Sequence, residues 1–233
     1  MNLKQQAANR ALDYVRSGMR IGLGSGSTTA HFASLLGARL HQGILQDVRV
    51  VPTSLKAAQQ AQNLHIPLTT ITDEGELDLA VDGADEVDRD LNLIKGLGMA
   101  LLREKIVELH ARQFVVIVDE SKLVARLGRG ALPVEIVPFE AQVTVRWLNT
   151  LGCRAELWRD ESGQPYRTDN GNFLARCWFE SDRPEGWGIP DIYALARALA
   201  GRPGVVEHGL FLDMASLVIV AGAQGIRILE REG

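Results

Sequence analysis

Apolar and polar positions alternate along the chain in two different periods, and the order of those periods predicts the architecture. Residues 3 to 16 carry Leu3, Ala7, Leu12 and Val15 at near-helical spacing and end at Ser17-Gly18, which predicts an opening helix. "MRIGLG" then reads as a short buried strand, "SGSTTAHFASLLGARL" as a helix behind a Gly/Ser/Thr loop, and "VRVVPTS" as the next strand. "LKAAQQAQNLH" is helical, "PLTTI" extended, "LDLAVDG" a strand, "MALLREKIVELHAR" a helix and "FVVIVDE" a strongly apolar strand. Strands alternating with helices in this way predict an α/β, Rossmann-like, mostly parallel sheet with helices on both faces.

From about residue 130 the pattern changes. "LPVEIVPF" carries two prolines, the helix "AQVTVRWLNTLG" follows, and the runs "AELWR" and "GNFLARCWFE" are separated by the turn-rich "DESGQPYRTDNGN", the signature of an antiparallel hairpin. After the helix "IPDIYALARALAGRPG" the apolar "SLVIVAG" reads as a strand able to rejoin the first sheet. The expected division is a Rossmann-like catalytic domain over 1–129 plus 207–233, with a smaller α+β domain of ferredoxin-like type inserted over 130–206.

Composition narrows the class. With 233 residues, 46% hydrophobic and 23% charged, the chain can bury a sizeable core, and a net charge of −4 gives no basic footprint for nucleic acid or an anionic membrane. The N-terminus has no apolar leader core and no apolar run reaches a bilayer span, so the expected location is the cytoplasm. Cys153 and Cys177 are too few and too far apart for a zinc ribbon or redox motif and read as core thiols. The five histidines are scattered singly, and Asp82, Asp85 and Asp88 lack the ligand spacing of a calcium loop, so no metal site is expected.

Two glycine-rich loops carry the candidate chemistry. "GLGSGSTT", residues 22 to 29, runs from a strand into a helix, where unpaired amides and the helix dipole favour an anion, and Ser25, Ser27 and Thr28 add hydroxyls around Gly26. A generously capped helix start would look the same. Its glycines miss the GxGxxG spacing, the next strand ends in Pro-Thr-Ser instead of an acid, and no GxxxxGK[ST] is present; neither NAD nor a nucleoside triphosphate is expected. The second loop, "KGLGMALLREK", again leads into a helix, with Lys95 at its entrance and Lys122 after the following strand. Both loops, the DGAD segment and "DESK" are expected at carboxyl ends of sheet strands, converging on one ligand. On the predicted helix 99–110, Leu102, Ile106 and Leu109 form an apolar stripe, and Glu104 is expected to point off that packed face. By itself a first-turn glutamate is a surface residue that complements the helix dipole.

Taken in order, "GLGSGSTTAHF", "VDGADEVD", "LIKGLGMALLREKI", "DESKLV", "LPVEIVPF", "TDNGN" and "PGVVEHGLF" resemble ribose-5-phosphate isomerase type A over nearly the whole chain. The DGAD segment followed by KGxG-x-x-LxREK is the most specific part. The resemblance implies interconversion of D-ribose 5-phosphate and D-ribulose 5-phosphate through an enediolate, in the non-oxidative pentose phosphate pathway. It also implies no cofactor, a small-molecule sugar phosphate as partner, and a homodimer or homotetramer. Carried over by position, it places substrate binding on Ser25, Gly26, Ser27, Thr28, on Asp82, Gly83, Ala84, Asp85, on Lys95, Gly96, Leu97, Gly98, and on Lys122. It places proton transfer on Glu104, with Asp82, Asp85 and Lys95 as further catalytic groups.

The residues also depart from that family. Leu97 stands where the family generally has the middle glycine of KGGG, Leu102 where it often has threonine, and Ser216 where it often has aspartate, the last read as a structural position. If position 97 needs a left-handed backbone or a close approach of the backbone to the sugar, leucine is costly there. Two rival readings remain: an isomerase of another aldose phosphate, and a non-catalytic sugar-phosphate-sensing module, which would normally carry a DNA-binding headpiece.

Overall fold

The computed structural model describes residues 2–179 and 188–231. In chain order its first half contains α1 (Leu3–Ala11), β1 (Arg20–Leu23), α2 (Ser27–His41), β2 (Arg49–Pro52), α3 (Leu55–Asn63), α4 (Ile71–Glu74), β3 (Leu79–Asp82), β4 (Glu86–Val87), β5 (Leu93–Ile94) and α5 (Leu101–Leu109). There follow β6 (Phe114–Asp119), β7 (Leu132–Ile136), α6 (Ala141–Leu148), β8 (Arg154–Leu157), β9 (Phe173–Trp178), α7 (Ile192–Ala200), β10 (Val205–His208), β11 (Leu210–Phe211), β12 (Leu217–Gly222) and β13 (Gly225–Glu230). Glu180, the end of the second predicted hairpin strand, lies outside the described residues. Among the described residues no helix is long and apolar enough to cross a membrane.

The chain forms two compact units: 1–84 with 103–122 and 213–233, and 85–102 with 123–212. The first is built on a six-stranded sheet in the order β13-β12-β6-β3-β1-β2, parallel except for the β12/β13 hairpin. Its central strands are buried on both faces, as strands covered by helices must be, and they read as nearly unbroken apolar runs rich in Val, Ile and Leu. The register places Ile21 beside Val50 and Leu79, and Ile117 beside Ile219, in one core with Phe32 and Leu36 of α2. α1 packs through Ala7, Ala8 and Ala11, whose small side chains let the backbone approach closely, and it starts with an Asn2/Gln5 capping box. The predicted opening helix stops early: residues 12–14 tighten into a single 3₁₀ turn. Ser216 is structural, as expected: its hydroxyl accepts from the Phe114 amide at 2.9 Å and its own amide donates to the Phe114 carbonyl.

The strand order β2-β1-β3 reverses direction at β1, since the chain leaves β1 for one neighbour and returns to the other. Crevices beyond the carboxyl ends of parallel strands open at such a switch point, where the connections on either side run to opposite faces.

The second unit contains the four-stranded antiparallel sheet β10-β7-β9-β8 with α6 and α7, a βαββαβ arrangement around Val134, Ile136, Leu148, Ala175, Cys177 and Leu199. It also contains a small antiparallel sheet, β11-β5-β4, that the sequence reading did not anticipate. This sheet is the reason that 85–102 and 207–212 group with the smaller unit, where the sequence suggested a domain of 130–206: Leu210 and Phe211 pair with Ile94 and Leu93. Residues 123–129 group there too, and Leu127 lies in its core.

A carboxylate ties the sheet edge of the first unit. Glu74 accepts from Arg20 Nε at 2.8 Å, from the Thr69 hydroxyl at 2.9 Å and from Arg49 Nη1 at 3.3 Å. The Arg20 hydrogen bond, more than any other contact, holds its carboxyl below the ordinary value of 4.5. A carboxyl with a depressed folded-state pKa stabilises above its unfolded pKa and loses that contribution as pH falls through the folded one. Glu74→Gln is therefore expected to lower the melting temperature at neutral pH, with the difference from the wild type closing below about pH 4; a difference independent of pH, measured by calorimetry from pH 7 to 3, would contradict the ion pair as the cause.

Candidate active site

Four adjacent parallel strands of the first unit end in or lead into polar residues on the same side of the sheet: β6 and β3 end at Asp119 and Asp82, and β1 and β2 are followed by Ser25 and Thr53. At the switch point Gly24 follows β1 and lies directly against Asp82 at the end of β3. A Cβ on Gly24 would sit 2.1 Å from both Cγ and Oδ1 of Asp82, so glycine is required for the carboxylate to occupy its place. Asp82 is buried, and its Oδ1 accepts from the Gly83 amide at 2.6 Å; Gly83 and Ala84 are half-buried.

The next loop carries hydroxyls. Ser25 Oγ lies 2.8 Å from Thr53 Oγ1 and 2.6 Å from Ser54 Oγ, both beyond β2, while Ser54 also caps α3 by accepting from the Ala57 amide. Gly26, exposed at φ 126°, precedes α2, and no side chain caps this 15-residue helix, so its first-turn amides and dipole face an exposed loop with Ser27 and the half-buried Thr28. Lys4 of α1 donates from Nζ to Ser27 Oγ at 2.8 Å and brings an ammonium to the helix start. Lys122, half-buried, lies in the 3₁₀ turn after β6.

Helix α5 contradicts the predicted packing. The expected apolar stripe faces outward in part, with Ile106 46% and Leu109 64% exposed, whereas Glu104, Lys105 and Glu108 are buried along with Leu101 and Val107. Glu104, expected off the packed face, is 3% exposed. Residues 101, 104, 105 and 108 share one helical face by their i, i+3, i+4, i+7 spacing, and here that face is mostly charged. Periodicity reads hydrophobicity as burial, and it fails where charge is what the fold encloses.

In the second unit the acidic and glycine loops are stitched together. Asp85 donates its amide to the Ile94 carbonyl, and its Oδ2 accepts from the Leu97 amide at 2.9 Å. Lys95, buried, follows β5, so its loop leaves the small antiparallel sheet and not a parallel strand as the sequence suggested. Gly96 has φ 106°, and a Cβ there would meet the Leu101 Cβ at 2.8 Å. Leu97 does not take a positive φ; Gly96 and Met99 (φ 69°) do. The anticipated cost of a left-handed leucine at 97 therefore does not arise, and its 37% exposed side chain leaves the backbone hydrogen bond to Asp85 intact. Gly98 is exposed.

The remaining acids of this stretch are structural. Glu86, buried, accepts from the amides of Gly128, Arg129 and Gly130 at 2.7, 3.2 and 2.5 Å. Asp88 accepts from the amides of Asp90 and Asn92 in the turn between β4 and β5, and burial pushes its carboxyl above the usual range. Sequence reasoning missed Thr53, Ser54 and Lys4. The Pro-Thr-Ser ending of β2 was a signal for the first two; Lys4, 23 residues from Ser27, has none in the sequence.

Together these features describe a doubly wound α/β protein with an anion-accepting helix start, an acidic strand end at the switch point and an enclosed glutamate. The chain belongs to the ribose 5-phosphate isomerase A (phosphoriboisomerase A) family, whose model matches residues 49–225. It is 52% identical to ribose-5-phosphate isomerase A of Roseiflexus castenholzii, over 97% of this chain and 94% of that one, and 47% identical to a probable ribose-5-phosphate isomerase 2 of Arabidopsis thaliana, over 97% and 85%. Among solved structures it is similar to a D-ribose-5-phosphate isomerase in complex with phospho-erythronic acid (TM-score 0.92, 41% identity, 99% and 100% covered). It is also similar to ribose 5-phosphate isomerase A of Methanocaldococcus jannaschii (TM-score 0.90, 40% identity, 98% of each chain covered).

The close approach at the switch point is directly testable. Gly24→Ala should displace the Asp82 carboxylate and lower kcat/KM by roughly 10²-fold, the scale of a misplacement of about 1 Å, while circular dichroism retains the folded spectrum. Full activity in the folded variant would show that the position of Asp82 is not critical.

Proposed function

We propose that this protein interconverts D-ribose 5-phosphate and D-ribulose 5-phosphate through an enediolate. The observation that carries the reading is the inversion of α5, which encloses Glu104 in a chain whose family acts as ribose 5-phosphate isomerases. A base for a carbon acid needs shelter from water, and an enclosed position provides it.

In this reading Ser25, Gly26, Ser27 and Thr28, with the open start of α2 and the Lys4 ammonium, hold the phosphate far from the reacting carbons, where its binding energy orients them. Asp82 and Asp85 accept hydrogen bonds from sugar hydroxyls and assist ring opening, with the Gly83 and Ala84 backbone alongside. Glu104 removes the proton on C2; the C–H electron pair becomes the C1=C2 bond, and the carbonyl π pair moves onto O1. Lys95 and the amides of Gly96 and Gly98 stabilise that oxyanion, the Leu97 amide being bound to Asp85, and Lys122 adds a second cation. Glu104 then returns its proton to C1, and the proton on O2 passes to O1, which leaves the ketone at C2. No atom is gained or lost.

The isomerase is also read as a homodimer or homotetramer, as the family resemblance implies, and as cytoplasmic on its sequence pattern. Sedimentation equilibrium should give two or four times the 25.5 kDa protomer mass, and a single species at the protomer mass would overturn this.

Incubating the protein with ribose 5-phosphate in D₂O should give ribulose 5-phosphate with deuterium exchange visible by NMR. Absence of turnover above buffer would refute the isomerase reading, and faster turnover of a different aldose phosphate would favour the rival substrate. Glu104→Gln should lower kcat by roughly 10²–10⁴-fold, the usual worth of a general base, with sugar-phosphate binding by calorimetry retained.

A further inference from the structure

We propose that Cys153 and Cys177 form a hydroperoxide-reactive thiol pair, which closes into a disulfide at the edge of the four-stranded sheet of the second unit. The two residues are 24 positions apart in the sequence, and the pairing of β8 with β9 brings them together. Arg154 of β8 stands opposite Trp178 of β9, and Ala155 opposite Cys177. Cys153 precedes β8 and so lies diagonal to Cys177, on the face that carries Ala155. That face is the inner one: Cys177 is 1% exposed in the core of the unit, and the half-buried Cys153 packs against the same core. Asn149 fixes the approach. Its side chain accepts from the Ala155 amide and donates to the Ala155 carbonyl, both at 3.0 Å, which ties the end of α6 to the residue paired with Cys177. Gly152, left-handed at φ 77°, turns the chain between them, and the Cys153 thiol donates to the Leu148 carbonyl at 3.2 Å.

The two sulfurs are hydrogen-bonded and unequal. The Cys177 thiol, as donor, holds Cys153 below the ordinary thiol value of 9.0, whereas the same contact and then burial push Cys177 well above it. The half-buried member is therefore the one that becomes the nucleophilic thiolate, and the buried member keeps its proton. The Cys153 thiolate attacks the terminal oxygen of a hydroperoxide; the O–O bond breaks, its electron pair leaves with the other oxygen, and Cys153 becomes a sulfenic acid. The Cys177 sulfur then attacks the Cys153 sulfur, the S–O bond breaks, and the hydroxyl leaves with the Cys177 proton as water. The hydroperoxide gains the two electrons that the thiols lose. Diagonal Cα atoms in an antiparallel pair are about 7–8 Å apart and a disulfide spans up to about 6.8 Å, so closure draws Cys153 inward by roughly 1 Å. Cys153 lies outside the β8–β9 ladder and beside a glycine, where such a shift disturbs no strand pairing.

The test reads mass and not activity, so its outcome is independent of the isomerase reading. Reduced protein treated with hydrogen peroxide should lose the mass of two hydrogens, regain it with dithiothreitol, and yield proteolytic fragments linked through Cys153 and Cys177. Cys177→Ser should stop at the sulfenic acid, gaining one oxygen at Cys153 that dimedone traps, and Cys153→Ser should leave Cys177 a thiol. Oxygen addition without linkage in the wild type, disulfide bonds between protomers in place of the internal one, or no reaction under conditions that oxidise the urea-unfolded chain would each overturn the proposal. Oxidation of Cys177 in Cys153→Ser would overturn the assigned order of attack. The wild-type mass and fragment map decide the pairing even where a variant fails to fold.

Discussion

The constraint on which the first unit depends is the contact between Gly24 and Asp82. β1 and β3 lie side by side as the two strands at which the sheet reverses its winding, and the residue that follows one must clear the carboxylate that ends the other. No side chain fits between them. The consequence is that the Gly/Ser/Thr loop leaves β1 without its own bulk at the crevice, while Asp82 is buried with an oxygen bound to the next amide. The Thr53 and Ser54 hydroxyls on one side and Lys4 on the other then determine how that loop is held.

Charge enclosed at such positions is costly, and two glutamates show how the fold meets that cost. Glu86 is fully provided for: three successive amides of the 128–130 loop converge on it, which makes it an anchor. Glu135 of β7 is another, its Oε1 receiving Thr168 and Asn172 at 2.9 and 2.8 Å, which gives the "TDNGN" segment a structural role. α5 follows a different logic, with three charged side chains inside and two aliphatic ones outside. A helix selected for stability alone would have the opposite arrangement, and departures of this kind are expected where residues are kept for chemistry.

Much of this was legible in the sequence. Alternating apolar strands and amphipathic helices predicted the parallel sheet, its return through 217–222 and the antiparallel character of the later part, since burial on two faces and on one face produce different periods. The two-residue strands β4, β5 and β11 were not legible, because pairing that short leaves no period to read. The grouping of 85–102 with the smaller unit followed from those strands and was missed with them.

The candidate residues divide in the same way. The sequence by itself determined the residue types, their order and their resemblance to one isomerase family, because glycine, aspartate, lysine and glutamate at those spacings form a specific pattern. Only the tertiary structure decided which way each of them points. It sent Glu104 inward against the helical pattern, gave Leu97 an ordinary backbone while Gly96 and Met99 took the left-handed one, bound Glu86 to the 128–130 amides and Asp88 to those of Asp90 and Asn92, and brought Lys4 to Ser27 and Phe211 to Lys95. Those outcomes depend on contacts between residues as many as 116 positions apart, as for Lys95 and Phe211, and no local periodicity encodes contacts at that range.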